Sequence, residues 1–177
     1  SFFKGNYLFR SWTDASSIID YLVFAKQYIM QCEERHGIDV NMLLYCVWAG
    51  HIGNRLHQEH VAILAAAVGE WHGTDVRSLR HARKRMKTPM DGQPPSPLSL
   101  DLRARVQKLE IDAEHIEQLR LHASLAAVEC VTADPGVDLA ERNAIGYFSF
   151  LEIDPDDEDH QFLRIVCGAA ADPGHRP

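Results

Sequence analysis

No apolar run in this chain approaches the ~18 residues needed to span a bilayer, so no membrane span is expected. Ser1 to Asn6 lack the charged start and clean apolar stretch of a secretory leader. Cysteine is sparse: Cys32, Cys46, Cys130 and Cys167 stand alone, with no Cys-x-x-Cys pair. A disulfide framework needs denser cysteine than this, so the four are expected to be reduced core residues of a cytoplasmic protein. Basic charge is also in deficit. Lys and Arg number 18 against 25 Asp and Glu, a net charge of −7, which opposes general affinity for nucleic acid. Equally absent are Gly-x-Ser-x-Gly, a phosphate-binding loop and the dinucleotide glycine pattern. Cys46, set among apolar residues, is expected to be an inert thiol. No residue set therefore takes the roles of acid, base or nucleophile, and no cofactor is expected. Repeats and sustained period-two alternation are missing too, which leaves little room for a sheet.

What is present is helical. At 46% hydrophobic and 24% charged, the 177 residues suffice for one sizeable core. Ile18, Leu22, Ala25, Ile29 and Cys32 recur at steps of four and three, predicting a helix over about 14–35 that Gly37 stops. Asp39 is placed to cap a second helix, about 39–50, that is apolar on nearly every side. A helix without a polar face lies inside something, so this one is expected to be the centre of the fold. A third helix is predicted over about 57–71, with Gly69 and Gly73 weakening its end, and a basic one over about 75–87. The prolines of 88–98 read as a linker. Beyond it, Leu102, Val106, Leu109, Ala113 and Ile116 predict a long helix, about 99–131, with a coiled-coil-like seam. Asp134-Pro135-Gly136 breaks the chain, and a last helix follows over about 138–151, with Asp138 and Glu141 resembling a capping box. The expected architecture is all-α: one domain of five or six helices over 1–153, with 154–177 as an acidic segment and mobile tail.

Arg35-His36-Gly37-Ile38-Asp39-Val40-Asn41 followed by Leu43-Leu44-Tyr45-Cys46-Val47-Trp48 resembles the hallmark of a family of short proteobacterial proteins known only as a domain of unknown function. The resemblance extends to Trp71 ahead of the arginine-rich helix, to the long helix from Arg105 onward, and to Asn143-x-x-x-Tyr147 near the end. It implies an all-helical fold in a bacterial cytoplasm and brings no reaction with it. Gly37, Asp39, Asn41 and Trp48 are its structural residues, with Asp39 and Asn41 expected to form a cap and a buried hydrogen bond at the helix joint.

Three functional readings remain. The first is a non-enzymatic protein working through helix-mediated contacts with an unknown partner or with itself. The second is a metal-dependent helical enzyme built on Glu33, His36, His57 and His60, since Glu33-x-x-His36 has the spacing of helical di-iron sites. Against it, the histidines read more readily as solvated or capping groups. The third is an anion or nucleic-acid binder through helix 76–87, where Arg77, Arg80, Lys84 and Lys87 share one stripe. The acids Glu110, Asp112, Glu114 and Glu117, or the run Asp154 to Asp159, are placed to neutralise that stripe internally.

Overall fold

The computed structural model of the chain describes residues 32–87 and 94–171, with side chains to residue 168. Most of the helix expected over 14–35, most of the proline-rich linker and the last six residues lie outside the described residues. The described residues form six helices: α1 Val40–His51, α2 Gln58–Trp71, α3 Arg77–Arg85, α4 Pro97–Ala126, α5 Val137–Phe150 and α6 Asp157–Ala171. They also form two short strands, β1 Asn54–Arg55 and β2 Val131–Thr132, paired antiparallel with Asn54 opposite Thr132. The fold is all-α.

α1 is the central helix that its composition predicts. Val40, Asn41, Met42, Leu43, Tyr45, Cys46, Val47, Ala49 and Gly50 are all buried along it. Its entry is set by two local devices. Gly37 takes φ +65° and its N–H donates to the Glu33 carbonyl at 2.7 Å, ending the helical turn 32–36 in the left-handed conformation that glycine adopts without steric cost. Asp39 then accepts the Met42 N–H at 3.2 Å as the cap of α1. α1 packs most extensively on α5. At their crossing a Cβ built on Gly50 would lie 2.4 Å from the Ala140 Cα, so only glycine permits the approach. Asn143 of α5, itself buried, ties the far end together: its amide nitrogen donates to the carbonyls of Cys46 (3.2 Å) and Asn54 (2.9 Å), and its oxygen accepts the Leu56 N–H (3.0 Å).

Several elements differ from their expected form. Gly69 and Gly73 do not break the chain: α2 passes through a π-helical turn, His72–Val76, directly into α3. A glycine in a helix costs only about 1 kcal/mol, which packing absorbs. α4 begins at Pro97, capped by the Ser96 hydroxyl, which accepts the Ser99 N–H at 3.1 Å, and stops at Ala126 so that Val131 and Thr132 can pair with β1. α5 starts behind Gly136 with no side-chain cap, so the Asp138–Glu141 capping box is not formed. The acidic run at 154–159 is a helix start rather than the edge of a tail. Asp156 accepts the N–H groups of Glu158 and Asp159 at 3.0 and 2.9 Å, and Asp159 returns a bond to the Asp156 N–H at 3.1 Å. Behind them, Phe162, Leu163, Val166 and Cys167 complete the core from α6.

The largest difference lies in α4. Its face toward the core carries Glu110, Ala113, Glu117, Gln118, Leu121 and Leu125. Of the predicted seam, Ala113 turns inward, whereas Leu102, Leu109 and Ile116 face outward together with Leu98 and Leu119, with exposures of 40 to 74%.

Candidate functional site

The polar side of α4 meets the entry of α1 and the π-helical turn at one point. Glu117, fully buried, projects from the middle of α4. His72 Nδ1, the first residue of the turn, lies 3.1 Å from Glu117 Oε1 and 3.2 Å from Asp39 Oδ2, so one imidazole edge is shared by two carboxyl groups. Asn41 donates from Nδ2 to Glu117 Oε2 at 2.9 Å, and Gln118 donates from Nε2 to Asn41 Oδ1 at 3.2 Å. From α5, the Tyr147 hydroxyl accepts the Asp39 backbone N–H at 3.3 Å. A π-turn adds one residue to the helical repeat, and here that extra residue sets where His72 falls relative to α4.

The electrostatics follow from burial. Lost hydration pushes the Asp39 carboxyl well above its usual range, and its hydrogen bond to and repulsion from Glu117 push further the same way. Burial also works against ionised Glu117. It is outweighed there by hydrogen bonds from His72, Asp39 and Asn41 and by the imidazole's charge, which hold Glu117 below the ordinary value. The two carboxyls are therefore coupled, with Asp39 pushed up and Glu117 held down.

Glu33, His36, His57 and His60 are not gathered in this way. Glu33 bonds Arg80, and His36 Nε2 sits 3.0 Å from Asp159 Oδ2. His57 precedes α2 and its N–H donates to His60 Nδ1 at 3.0 Å, making the pair a helix start. Among the described residues, the one group of three or more such side chains close enough to share an ion is Asp39, His72 and Glu117. The basic stripe is likewise divided. Arg80 turns inward to Glu33, Glu110 and Glu114, the last at 2.6 Å, while Arg83 bonds Glu110. Arg77, Lys84 and Lys87 remain exposed, with Lys84 3.8 Å from Glu34. Trp48 packs at the surface of the core against Tyr45 and His122, at ring separations of 5.3 and 6.0 Å. All four cysteines are free thiols, and burial holds Cys46 far above the ordinary thiol range.

Residues 21–121 match the family model described as Protein of unknown function (DUF2390). The chain belongs to this family. The DUF2390 match includes Asp39, Asn41, His72, Glu117 and Gln118, whereas Asn143 and Tyr147 lie beyond it. A second likeness is local: 39 residues are 77% identical to the uncharacterized protein YcgB of Escherichia coli (strain K12). They make up 22% of this chain and 8% of that protein, so the chain spans only a small part of YcgB's length. No solved structure matches the chain.

Sequence reasoning had reached Asp39 and Asn41 as a polar pair at the joint but not their partners. His72 carries no mark of its own in the sequence, and Glu117 reads there as one of the acids facing the basic stripe. The available signal was the doublet Glu117-Gln118 one turn before Leu121, on the side of α4 that also carries Leu125.

Proposed function

We propose that this DUF2390 member is a non-enzymatic interaction protein that self-associates through the outward stripe of α4. The observation that carries the reading is the exposure of Leu98, Leu102, Leu109, Ile116 and Leu119 on one line of a 30-residue helix. From 98 to 119 that line runs about 32 Å, at about 1.5 Å per residue. An exposed apolar line of this length, broken only by charges, is the signature of a contact surface.

A second copy fits it better than another occupant because the stripe is self-complementary. Leu98 and Leu119 stand equally far from its middle, as do Arg105 and Asp112, which share the stripe. Two helices related by a two-fold axis and running antiparallel bring Leu98 near the other copy's Leu119 and Arg105 near its Asp112. Among the described residues Arg105 pairs with Asp101, 3.3 Å away and equally exposed, a contact of little energetic worth. The inward pairing of Arg80, one of the four cations of that stripe, weighs against the anion-binding alternative.

Sedimentation velocity is the test. The native chain should sediment as a dimer, and the double variant Leu109→Glu, Ile116→Glu as a folded monomer. Each lost apolar contact is worth about 1.5 kcal/mol or more, so dissociation should strengthen about 100-fold. A native chain that stays monomeric across the accessible concentrations overturns the proposal.

A further inference from the structure

We infer that Asp39, His72 and Glu117 form a binding site for one divalent transition-metal cation. The site lies apart from the α4 stripe and does not depend on the self-association reading.

Geometry is the first ground. One ligand atom from each residue falls within 4.8 Å of the other two. His72 Nδ1 stands 3.1 Å from the Glu117 oxygen and 3.2 Å from the Asp39 oxygen. Neighbouring ligands on an ion with bonds of about 2.1 Å are about 3.0 to 3.4 Å apart, so little movement is needed to close on a cation.

Rigidity is the second ground. The three ligands come from three elements, a helix cap, a π-turn and the middle of a long helix, so the site is built by the tertiary fold. Each carboxylate is also held by a neighbour: Asp39 Oδ1 by the Met42 N–H, and Glu117 Oε2 by Asn41, which Gln118 anchors in turn. Such outer bonds orient ligands in metal sites. A further sign is the Gln118 side-chain oxygen, which is buried in the same polar group and has no donor.

Charge is the third. Two carboxyl groups share a nearly dry space with one imidazole, and that arrangement favours an added positive centre. Glu33 pairs instead with Arg80 and is not part of this group. The small exposures of Asp39 and His72, 11% and 12%, mark the side from which an ion enters. One nitrogen with two carboxylate oxygens suits manganese(II), iron(II) or zinc(II) better than calcium or copper(I).

The experiment is titration of chelator-stripped full chain with Mn²⁺, followed by electron paramagnetic resonance, and with Zn²⁺, followed by calorimetry. One equivalent should bind, with a rise in Tm. His72→Gln and Glu117→Gln should each weaken binding at least about 10-fold, while His57→Gln should leave it unchanged. X-ray absorption of the loaded native chain gives a reading that needs no variant: one imidazole nitrogen with oxygens. Absence of stoichiometric binding of both ions, a shell with sulfur or without nitrogen, or variants that bind like the native chain would each overturn the site.

Discussion

Single residues in this protein carry opposite pH signatures although they sit side by side. Glu110 is buried, which by itself raises its carboxyl, but bonds from Arg83 and Arg80 outweigh that and hold it below 4.5. A carboxylate depressed in the folded state contributes stability above its unfolded value and loses it as pH falls through the folded one. Glu114 behaves in reverse. Burial dominates over its bond to Arg80, and nearby Glu110 and Glu117 add repulsion, so it sits above 4.5. Its contribution is complete below 4.5 and is lost as pH rises through its folded value. Melting temperatures of Glu110→Gln and Glu114→Gln relative to the native chain should therefore drift in opposite directions. The Glu110→Gln penalty should be greatest near neutrality and shrink on acidification below 4.5, whereas Glu114→Gln should compare better at neutral pH than in acid. Parallel drifts would contradict the assigned partners.

Among the elements, α1 and α4 show what sequence pattern does and does not convey. α1 was legible because its residues are apolar on every side, and only an interior position suits such a helix. Its two terminal devices, Gly37 and Asp39, were legible for the same local reasons. The role of Gly50 was not. It lies within α1 at the crossing with α5, a tertiary fact with no local mark. Gly50→Ala should cost about 3 kcal/mol or more, since a Cβ 2.4 Å from backbone forces the two helices apart. A thermal denaturation shift of under a degree would show that α1 and α5 do not approach as described. α4 was legible as a long helix and misleading in orientation. The seven-residue spacing of Leu102, Leu109 and Ile116 marks an apolar stripe, but a stripe does not say whether it faces its own core or another molecule. The inward side is instead specified by polar partners, Glu110 to Arg80 and Arg83 and Glu117 to His72 and Asn41, which lie 27 to 76 residues away in sequence. α6 was hidden by its acidic start, where Asp156 and Asp159 cap the helix, Arg35 pairs with the run and His36 bonds Asp159.

On the scale of the whole molecule, a polar interior seam and an apolar exterior one lie on the same helix. The outward leucines are largely exposed in the single chain and add little to its own core. Both seams make sense if α4 serves two interfaces, one to α1, α2 and α3 and one to another copy. The pairing of Arg105 with Asp112 across a two-fold axis is the specific element of that account. The most direct measurement is the dimer dissociation constant, by sedimentation equilibrium, of Arg105→Asp, Asp112→Arg and the double variant. Each single reversal should weaken the dimer by placing like charges together, and the double reversal should restore it to near the native value. Equal constants for all four chains, or a double variant as weak as the sum of its parts, would contradict the antiparallel α4 interface.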